Sequence, residues 1–284
     1  MKALVRIALL LLLPGIAAAA PVTDDAGRQV SLERPARRIV SLAPHATELL
    51  FAAGAGPAVV GVAAWSDYPR EAAALPQVGD AHAIDLERVL ALEPDLVVAW
   101  LSGNNRRQVE RLEQAGLTVF YSEPSRLEEV ATSLERLGEL AGSAPAARAA
   151  AASFRAELAG IEADYRGRRL LRVFYEIWHE PPMTLNGRHF VSDALARCNA
   201  VNVFAALPAL VPTVSAEAVV AARREAIASG AGPEAIAEWR ALKQLPASRS
   251  GVLCASDPAR MHRPGPRLVG ATRELCACLD RARR

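Results

Sequence analysis

The strongest constraint on the fold is an alternation of short apolar runs with helical patterns along most of the chain. In the first half, the apolar runs predict strands over 39–42, 58–62, 95–100 and 117–121. Between and after them, the patterns predict helices that begin at Pro44 and Asp85 or span about 105–116 and 127–141. Parallel strands need a crossover, usually a helix, so this alternation predicts a parallel α/β sheet.

The same alternation of strands and helices begins again after an alanine-rich stretch. Predicted strands over 171–177, 226–229 and 251–255 alternate with helices over 191–198, 215–222, 233–242 and 266–280. The stretch over 143–167 predicts one helix of about 33 Å, with Ser143 as its N-cap and Pro145 in its first turn. We therefore predict two Rossmann-like α/β lobes, 20–142 and 168–284, joined by one long rigid helix over 143–167.

One phrase occurs in both halves. DLERVLALEPDLVVAW (85–100) and SAEAVVAARREAIASG (215–230) each begin with a capping residue, Asp85 or Ser215, and place a glutamate two positions later, Glu87 or Glu217. Each then carries a second carboxylate eight positions on, Asp95 or Glu225. A carboxylate near a helix N-terminus complements the helix dipole, which is sufficient for either glutamate alone. Their matching places in two lobes favour a pair of projecting contacts for a partner.

The first 19 residues have the pattern of a secretory signal peptide. Lys2 and Arg6 precede an apolar run over 7–13, then Pro14-Gly15 and small residues up to Ala20. We predict cleavage between Ala19 and Ala20, since proline follows the next bond. The run is shorter than the roughly 20 residues that span a bilayer. No cysteine lies near the cut to carry a lipid, so we predict a soluble mature protein outside the cytoplasm.

The net charge and the cysteine spacing exclude further kinds of partner and site. Removing Lys2 and Arg6 takes the formal charge from +2 to about zero, with no polybasic run to hold nucleic acid or anionic lipid. The four cysteines are Cys198, Cys254, Cys276 and Cys278, and they allow three full pairings. Cys276 and Cys278 point to nearly opposite sides of a helix. We favour one disulfide plus buried free thiols over a zinc site, because the CxC spacing does not suit zinc.

Catalytic motifs are absent: the sequence has no GxSxG, P-loop, GxGxxG or HExxH. His45, His82 and His179 follow predicted strands or lie in loops, where open α/β folds bind ligands. An envelope enzyme or a metal-site protein built on these histidines is the alternative from another class. No carboxylate–histidine cluster has ligand spacing in the sequence, so we predict neither catalysis nor a bound metal.

The aromatic residues point to a ligand instead. Only 5% of the chain is aromatic, yet Trp65 and Tyr68 follow the second strand, Trp100 ends the third, and Trp178 follows the first strand of the second lobe. Any one of them could pack a core. Together, aromatics at strand ends of both lobes predict a cleft that grips a large, flat, apolar ligand.

These motifs resemble a known family. RIVSLAPHATELLFAAG, VVGVAAWSDYP, LERVLALEPDLVVAW with SGN after it, and VSAEAVVA are similar to the periplasmic cobalamin-binding proteins of ABC importers. The resemblance covers nearly the whole mature chain, densely in the first lobe and loosely after residue 200. It implies the class III periplasmic binding protein fold, which haem and siderophore binders share. It also implies a monomer that captures a corrinoid as cargo, without a cofactor, and delivers it to a membrane permease.

The resemblance also assigns roles to residues of this chain. Glu87 and Glu217 would dock into arginine pockets on the permease. The corrinoid would lie against aromatic side chains, with Asp257 in CASDPARMHRPGPR adding polar contacts; the aromatic set is Trp65, Tyr68, Trp100 and Trp178. Cys198 would pair with Cys276, which leaves Cys254 and Cys278 unassigned.

Two positions depart from the family pattern. Ala81, beside His82, and Pro212-Thr213 stand where the relatives have tryptophans, so the gripping surface is less aromatic. His82 or His45 could contribute instead. Haem or a ferric siderophore therefore stays as the alternative ligand; affinity, axial-ligand preference and the permease's identity are not encoded in these motifs.

Overall fold

The computed structural model describes residues 21–222, 224–241 and 252–284. A short hairpin of β1 (Val22–Thr23) and β2 (Gln29–Val30) leads into the first lobe. The first-lobe sheet has the order β4-β3-β5-β6 and is parallel throughout; its strands are β3 (Ile39–Ser41), β4 (Val59–Val62), β5 (Leu96–Trp100) and β6 (Val119–Ser122). The predicted signal peptide, 1–19, lies outside the described residues.

The second lobe repeats this topology. Its sheet is also parallel, in the order β8-β7-β9-β10; the strands are β7 (Leu171–Glu176), β8 (Ala200–Asn202), β9 (Ala226–Ser229) and β10 (Leu253–Ala255). In both lobes the first strand has the second on one side and the third on the other. The predicted fold class, two parallel α/β lobes, is confirmed.

Helices connect these strands. The first lobe contains α1 (Pro44–Ala52), α2 (Leu86–Ala91), α3 (Arg106–Gln114) and α4 (Leu127–Ala141). The connecting helix is α5 (Ala144–Tyr165). The second lobe contains α6 (Phe190–Arg197), α7 (Ala216–Ala221), α8 (Pro233–Ala241), α9 (Pro258–Met261) and α10 (Leu268–Leu279). Within the described residues, none of the helices is both long and apolar enough to cross a bilayer.

Several predicted bounds differ from the structure. The hairpin and β8 were not predicted, because these strands of two and three residues lack the longer apolar runs that mark β3 and β10 in the sequence. The strand predicted from Leu117 begins at Val119, since the Leu117 amide still bonds to the Leu112 carbonyl and closes α3. The predicted end of α8 at Leu242 and the start of β10 at Gly251 fall outside the described residues.

The repeated phrase has a structural reason in both lobes. Helix α2 leads into β5 beside β3, and α7 leads into β9 beside β7. The Asp95 carboxylate accepts the amides of Arg37 and Arg38 at 2.9 and 3.0 Å, and Glu225 accepts the Arg172 amide at 3.0 Å. The second carboxylate of each copy therefore fixes the start of a central strand.

The connecting helix belongs to the core rather than being a tether. Its buried face packs against α4, where a side chain on Gly138 would lie 2.2 Å from the Ala147 methyl group. Ser143 holds the N-cap position of this helix, as predicted, but its hydroxyl donates to the Ala53 carbonyl at 2.6 Å and makes no capping bond to the helix. One apolar cluster runs from Leu49 through Phe154 of α5 to Leu275. Relative motion of the lobes would disturb that cluster.

Two disulfides hold the second lobe together. The structure pairs Cys198 with Cys276, as the resemblance implied, and Cys254 with Cys278, with Cα atoms 4.9 and 5.9 Å apart. The interpretation with two free thiols is wrong, since all four cysteines are bonded. Because Cys276 and Cys278 point to different sides of α10, they reach separate partners, at the end of α6 and in β10.

Candidate functional site

The predicted aromatic residues lie at the carboxyl ends of the strands. Trp65 and Tyr68 follow β4, Trp100 ends β5, and Trp178 follows β7. Trp65, Tyr68 and Trp178 are 74%, 46% and 60% exposed, which is unusual for large apolar side chains. These exposed aromatics lie at the carboxyl edges of both sheets, where open α/β folds bind ligands, and they are called the aromatic surface below.

Trp100 is positioned by the SGN segment that follows it. The Asn104 side chain accepts the Trp100 amide at 2.6 Å and donates to the Leu42 carbonyl at 2.9 Å, which ties the ends of β5 and β3 together. The indole lies over Gly103, where any Cβ would be 2.0 Å from the ring. Its edge packs against His45 with ring centroids 5.6 Å apart. Trp100 is thus partly core and partly the floor of the surface.

Trp65 adopts a backbone conformation that bulky residues avoid. Its φ is +66°, in the left-handed region that costs about 1–2 kcal/mol for a residue with a Cβ. Arg263 of the second lobe donates to the Trp65 carbonyl at 3.0 Å and to Asp67 at 2.6 Å. That hydrogen bond also lowers the pKa of the Asp67 carboxyl. The conformation is therefore held by a contact between the lobes.

A buried glutamate joins the lobes beneath this loop. Glu48 of α1 accepts two hydrogen bonds from Arg267, at 2.9 and 2.6 Å, and one from Arg263 at 3.3 Å. The Arg267 guanidinium lies 4.1 Å over the Tyr68 ring, a cation–π contact. Glu48, Arg263 and Arg267, hereafter the arginine bridge, orient the Tyr68 face and fix one end of the interlobe surface.

A second set of ion pairs joins the lobes beside the connecting helix. Asp193 of α6 accepts the Leu127 amide at 2.9 Å, at the N-terminus of α4, and pairs with Arg126 at 3.0 Å. A depression of about 340 Å³ lies here, but none of the predicted site residues line it; its walls are Arg126, Glu162, Tyr165, Arg166, Gly167, Asp193, Ala196, Arg197 and Asn199. Its polar walls pair mainly with each other, as Arg126 does with Asp193 and Arg197 with Glu162.

The remaining predicted residues fall in different places. Asp257 is exposed and caps α9 by accepting the Ala259 amide at 2.9 Å. His82 is exposed in a turn held by Asp80, whose carboxylate accepts the His82 amide at 2.8 Å. The Ala81 carbonyl accepts the Asn105 amide at 3.1 Å, so this turn lies against the loop after Trp100. The structure thus gathers the first-lobe residues, with Trp178 and Asp257 on the second lobe.

His45 is buried, unlike the other histidines considered. It is 3% exposed, and its Nε2 has no hydrogen-bond partner among the described residues. Burial, with Arg263 nearby, lowers the pKa of His45 to about 4. The imidazole is therefore neutral at neutral pH and serves as a support for Trp100. It does not share a cluster with His82 or His179 in the described part of the chain.

We expect the low pKa of His45 to make the fold acid-sensitive. The unfolded histidine titrates near 6.5 and the folded one near 4, so its contribution is present above about pH 6.5 and is lost as pH falls toward 4. Between about pH 7 and 4.5 this is about 2–3 kcal/mol. Urea unfolding should show a smaller acid loss for His45→Gln than for wild type. An unchanged loss in His45→Gln, or the same reduction in His82→Gln, would contradict the assignment.

Glu87 and Glu217 occupy equivalent positions, at the second residue of a six-residue helix. Both side chains are exposed. The caps work as predicted: Asp85 accepts the Arg88 amide at 3.0 Å, and the Ser215 hydroxyl accepts the Ala218 amide at 3.2 Å. Hydrogen bonds from its own amide and from Ser215 lower the pKa of the Glu217 carboxyl.

Sequence reasoning missed the arginine bridge. One signal was available: Glu48 lies in a helix in which six of nine residues are buried, and a buried carboxylate requires a partner. Nothing in the sequence marks Arg263 and Arg267 as that partner, because they are more than 200 positions away.

Comparisons with known proteins agree with this geometry. The sequence pattern of the periplasmic binding protein family matches residues 39–258. A vitamin B12-binding protein of Vibrio parahaemolyticus is 35% identical over 254 residues, covering 88% of this chain and 92% of the relative. A vitamin B12-binding protein of Pectobacterium carotovorum is 36% identical over 245 residues, covering 86% of this chain and 88% of the relative.

Solved structures show the same architecture. The periplasmic vitamin B12 binding protein of Vibrio cholerae superposes with a TM-score of 0.83 at 35% identity, covering 88% of this chain and 99% of that one. A periplasmic heme-binding protein from Roseiflexus superposes with a TM-score of 0.78 at 23% identity, covering 87% and 99%. The latter likeness shows the fold alone.

Proposed function

This chain belongs to the periplasmic binding protein family, and we propose that it captures a corrinoid between its lobes and delivers it to the membrane permease of an ABC importer. The similar proteins are binding proteins, not enzymes. The observation that carries the ligand class is the exposed aromatic surface at the strand ends, on a chain 35% identical to vitamin B12-binding proteins.

The aromatic side chains suit the apolar faces of a corrin ring. Tyr68 and Trp65 present faces from the first lobe, Trp178 from the second, and Trp100 lies at the floor. Arg263 and Asp257 add polar groups for the amide side chains at the rim of a corrinoid. The two interlobe ion-pair sets and α5 restrict lobe motion, so we expect small closure on binding.

The cellular part of the proposal follows from the family and the N-terminal pattern. Residues 1–19 would direct secretion and be removed, placing the mature chain in the periplasm. The corrinoid would be cargo rather than a resident cofactor, and the mature chain would act as a monomer. Glu87 and Glu217 would contact the permease, one from each lobe.

Haem or a ferric siderophore is the alternative cargo. The exposed imidazole of His82, beside Ala81 on the turn against the Trp100 loop, is the observation that favours haem. Imidazole is a common protein ligand of haem iron. Cobalamin supplies the lower axial ligand of its own cobalt and does not need a protein imidazole there.

Calorimetric titration with cyanocobalamin, dicyanocobinamide and haemin, side by side, tests the proposal. We expect one-to-one binding of cyanocobalamin and weakening by about tenfold in Tyr68→Ala, because a stacked aromatic face is lost. Leu170→Ala is the matched control: Leu170 is 55% exposed but precedes β7, at the opposite edge of the sheet. Binding of haemin without either corrinoid would replace the proposal by its alternative.

A further inference from the structure

We propose that His179, Glu180 and Glu238 form a divalent metal site in the second lobe, next to Trp178 at one side of the aromatic surface and suited to zinc. Their candidate ligand atoms, one from each residue, all lie within 4.8 Å of one another. The sequence predicted no metal site, because Glu238 is 59 positions from His179 and only the packing of α8 brings them together.

The ligand atoms lie near enough to one another for one zinc ion to bind all three after small rotations of the carboxylates. Zinc bonds nitrogen and oxygen at about 2.0–2.2 Å, which places tetrahedral ligands about 3.4 Å apart. His179 Nε2 lies 2.9 Å from a Glu238 carboxylate oxygen. The Glu238 side chain is 64% exposed and Glu180 is also exposed, so both can rotate without moving the backbone.

A buried carboxylate orients the histidine for this role. Glu176 is fully buried and lies 3.0 Å from His179 Nδ1 through one oxygen. Its other oxygen accepts hydrogen bonds from the Ser229 hydroxyl at 2.8 Å and the Trp239 indole at 3.0 Å. With Nδ1 held by Glu176, Nε2 faces a Glu238 oxygen at 2.9 Å, and a metal ion bound there would take the place of the proton in that contact. This carboxylate–histidine arrangement is the one that supports metal-bound imidazoles.

The site has room for an ion and its water ligand. A cavity of about 280 Å³ opens beside the cluster and is lined by His179, Glu180, Pro182, Ala216, Glu238 and Trp239. The backbone carrying two of the ligands is fixed, because the Trp178 indole donates to the Glu180 carbonyl at 2.9 Å and the Met183 amide to the Trp178 carbonyl at 2.8 Å.

Charge favours a dication. Glu176, Glu180 and Glu238 carry three negative charges around one imidazole, which is neutral when its Nε2 lone pair binds a metal. A nitrogen ligand with two carboxylates suits zinc better than calcium or magnesium, which prefer oxygen alone. The cysteines do not compete for zinc, because all four are in disulfides.

Zinc binding to the mature protein, freed of any affinity tag and stripped with chelator, tests the site. Calorimetry with zinc chloride near neutral pH should show one equivalent bound, and elemental analysis after desalting should find it. His179→Gln and Glu238→Gln should each weaken binding at least tenfold. Glu234→Gln is the matched control, since Glu234 is exposed on the same helix outside the cluster.

Three outcomes decide the proposal. One zinc per chain, lost in both ligand variants and retained in the control, supports it. Absence of stoichiometric zinc overturns it and leaves His179 as an ion-pair bridge between carboxylates. Equal zinc binding by wild type and Glu238→Gln also overturns the proposal. Because the Glu238 side chain is exposed, we expect Glu238→Gln to fold normally even where His179→Gln folds poorly. Cyanocobalamin titration of each variant reports separately on the aromatic surface.

Discussion

Replacing Glu48 by alanine should lower the free energy of unfolding by about 2–3 kcal/mol. The carboxylate is 2% exposed and is bonded to Arg263 and Arg267, which are 17% and 22% exposed. Removing one partner of a buried pair costs about 3–5 kcal/mol, and we reduce this because water reaches both guanidinium groups. The variant leaves two cations with no shared anion between the lobes. Urea unfolding of wild type and variant measures the difference.

An exposed ion pair provides the control for Glu48. Glu139 pairs with Arg148 at 2.8 Å between α4 and α5, with side chains 36% and 59% exposed. Glu139→Ala should cost no more than about 1 kcal/mol, as exposed pairs do. Equal losses in the two variants would mean that the arginine bridge contributes little beyond a surface pair. Weaker cyanocobalamin binding by Glu48→Ala should accompany the stability loss, because Arg267 no longer holds the Tyr68 face.

Changing both Glu87 and Glu217 to alanine should leave corrinoid affinity unchanged and abolish uptake by the reconstituted permease. Each carboxylate is exposed in the first turn of its helix, and each lobe supplies one. The variant removes two charges without removing the caps, Asp85 and Ser215, so both helices should persist. Transport into vesicles, with calorimetry on the same preparations, separates docking from capture.

The matched control for docking changes two exposed glutamates elsewhere. Glu33 precedes the first-lobe sheet and Glu157 lies on the connecting helix, so Glu33→Ala with Glu157→Ala alters net charge equally. Uptake should be retained in this control. Undiminished uptake by the Glu87 and Glu217 variant would contradict the docking assignment. Loss of uptake in both double variants would show that net charge alone causes the effect.

The sequence located these aromatic residues at strand ends because strand position follows from local patterns. An apolar run and a following helix locate the carboxyl end of a parallel strand, and Trp65, Tyr68 and Trp178 follow such ends. The caps of the repeated phrase are local in the same way, whereas its second carboxylates, Asp95 and Glu225, bond to amides 57 and 53 positions earlier. How far each aromatic is exposed was not predictable, and Trp100 lies partly in the core.

Contacts between distant segments were decided only by the tertiary structure. The arginine bridge joins Glu48 to Arg263 and Arg267 across the lobes, and Cys254 pairs with Cys278 through the packing of α10 on β10. The cluster of His179 with Glu238 depends in the same way on the packing of α8.

Periodicity and capping residues report interactions within about one helical turn or between neighbouring strand positions, and so the sequence by itself determined two α/β lobes, their connecting helix and the strand ends at which the aromatic residues lie. A pairing between distant charges has no such period, since either partner reads as an ordinary surface residue until packing removes it from water. For this protein, the long-range ion pairs that hold the lobes, and the second disulfide, therefore became visible only in the folded chain.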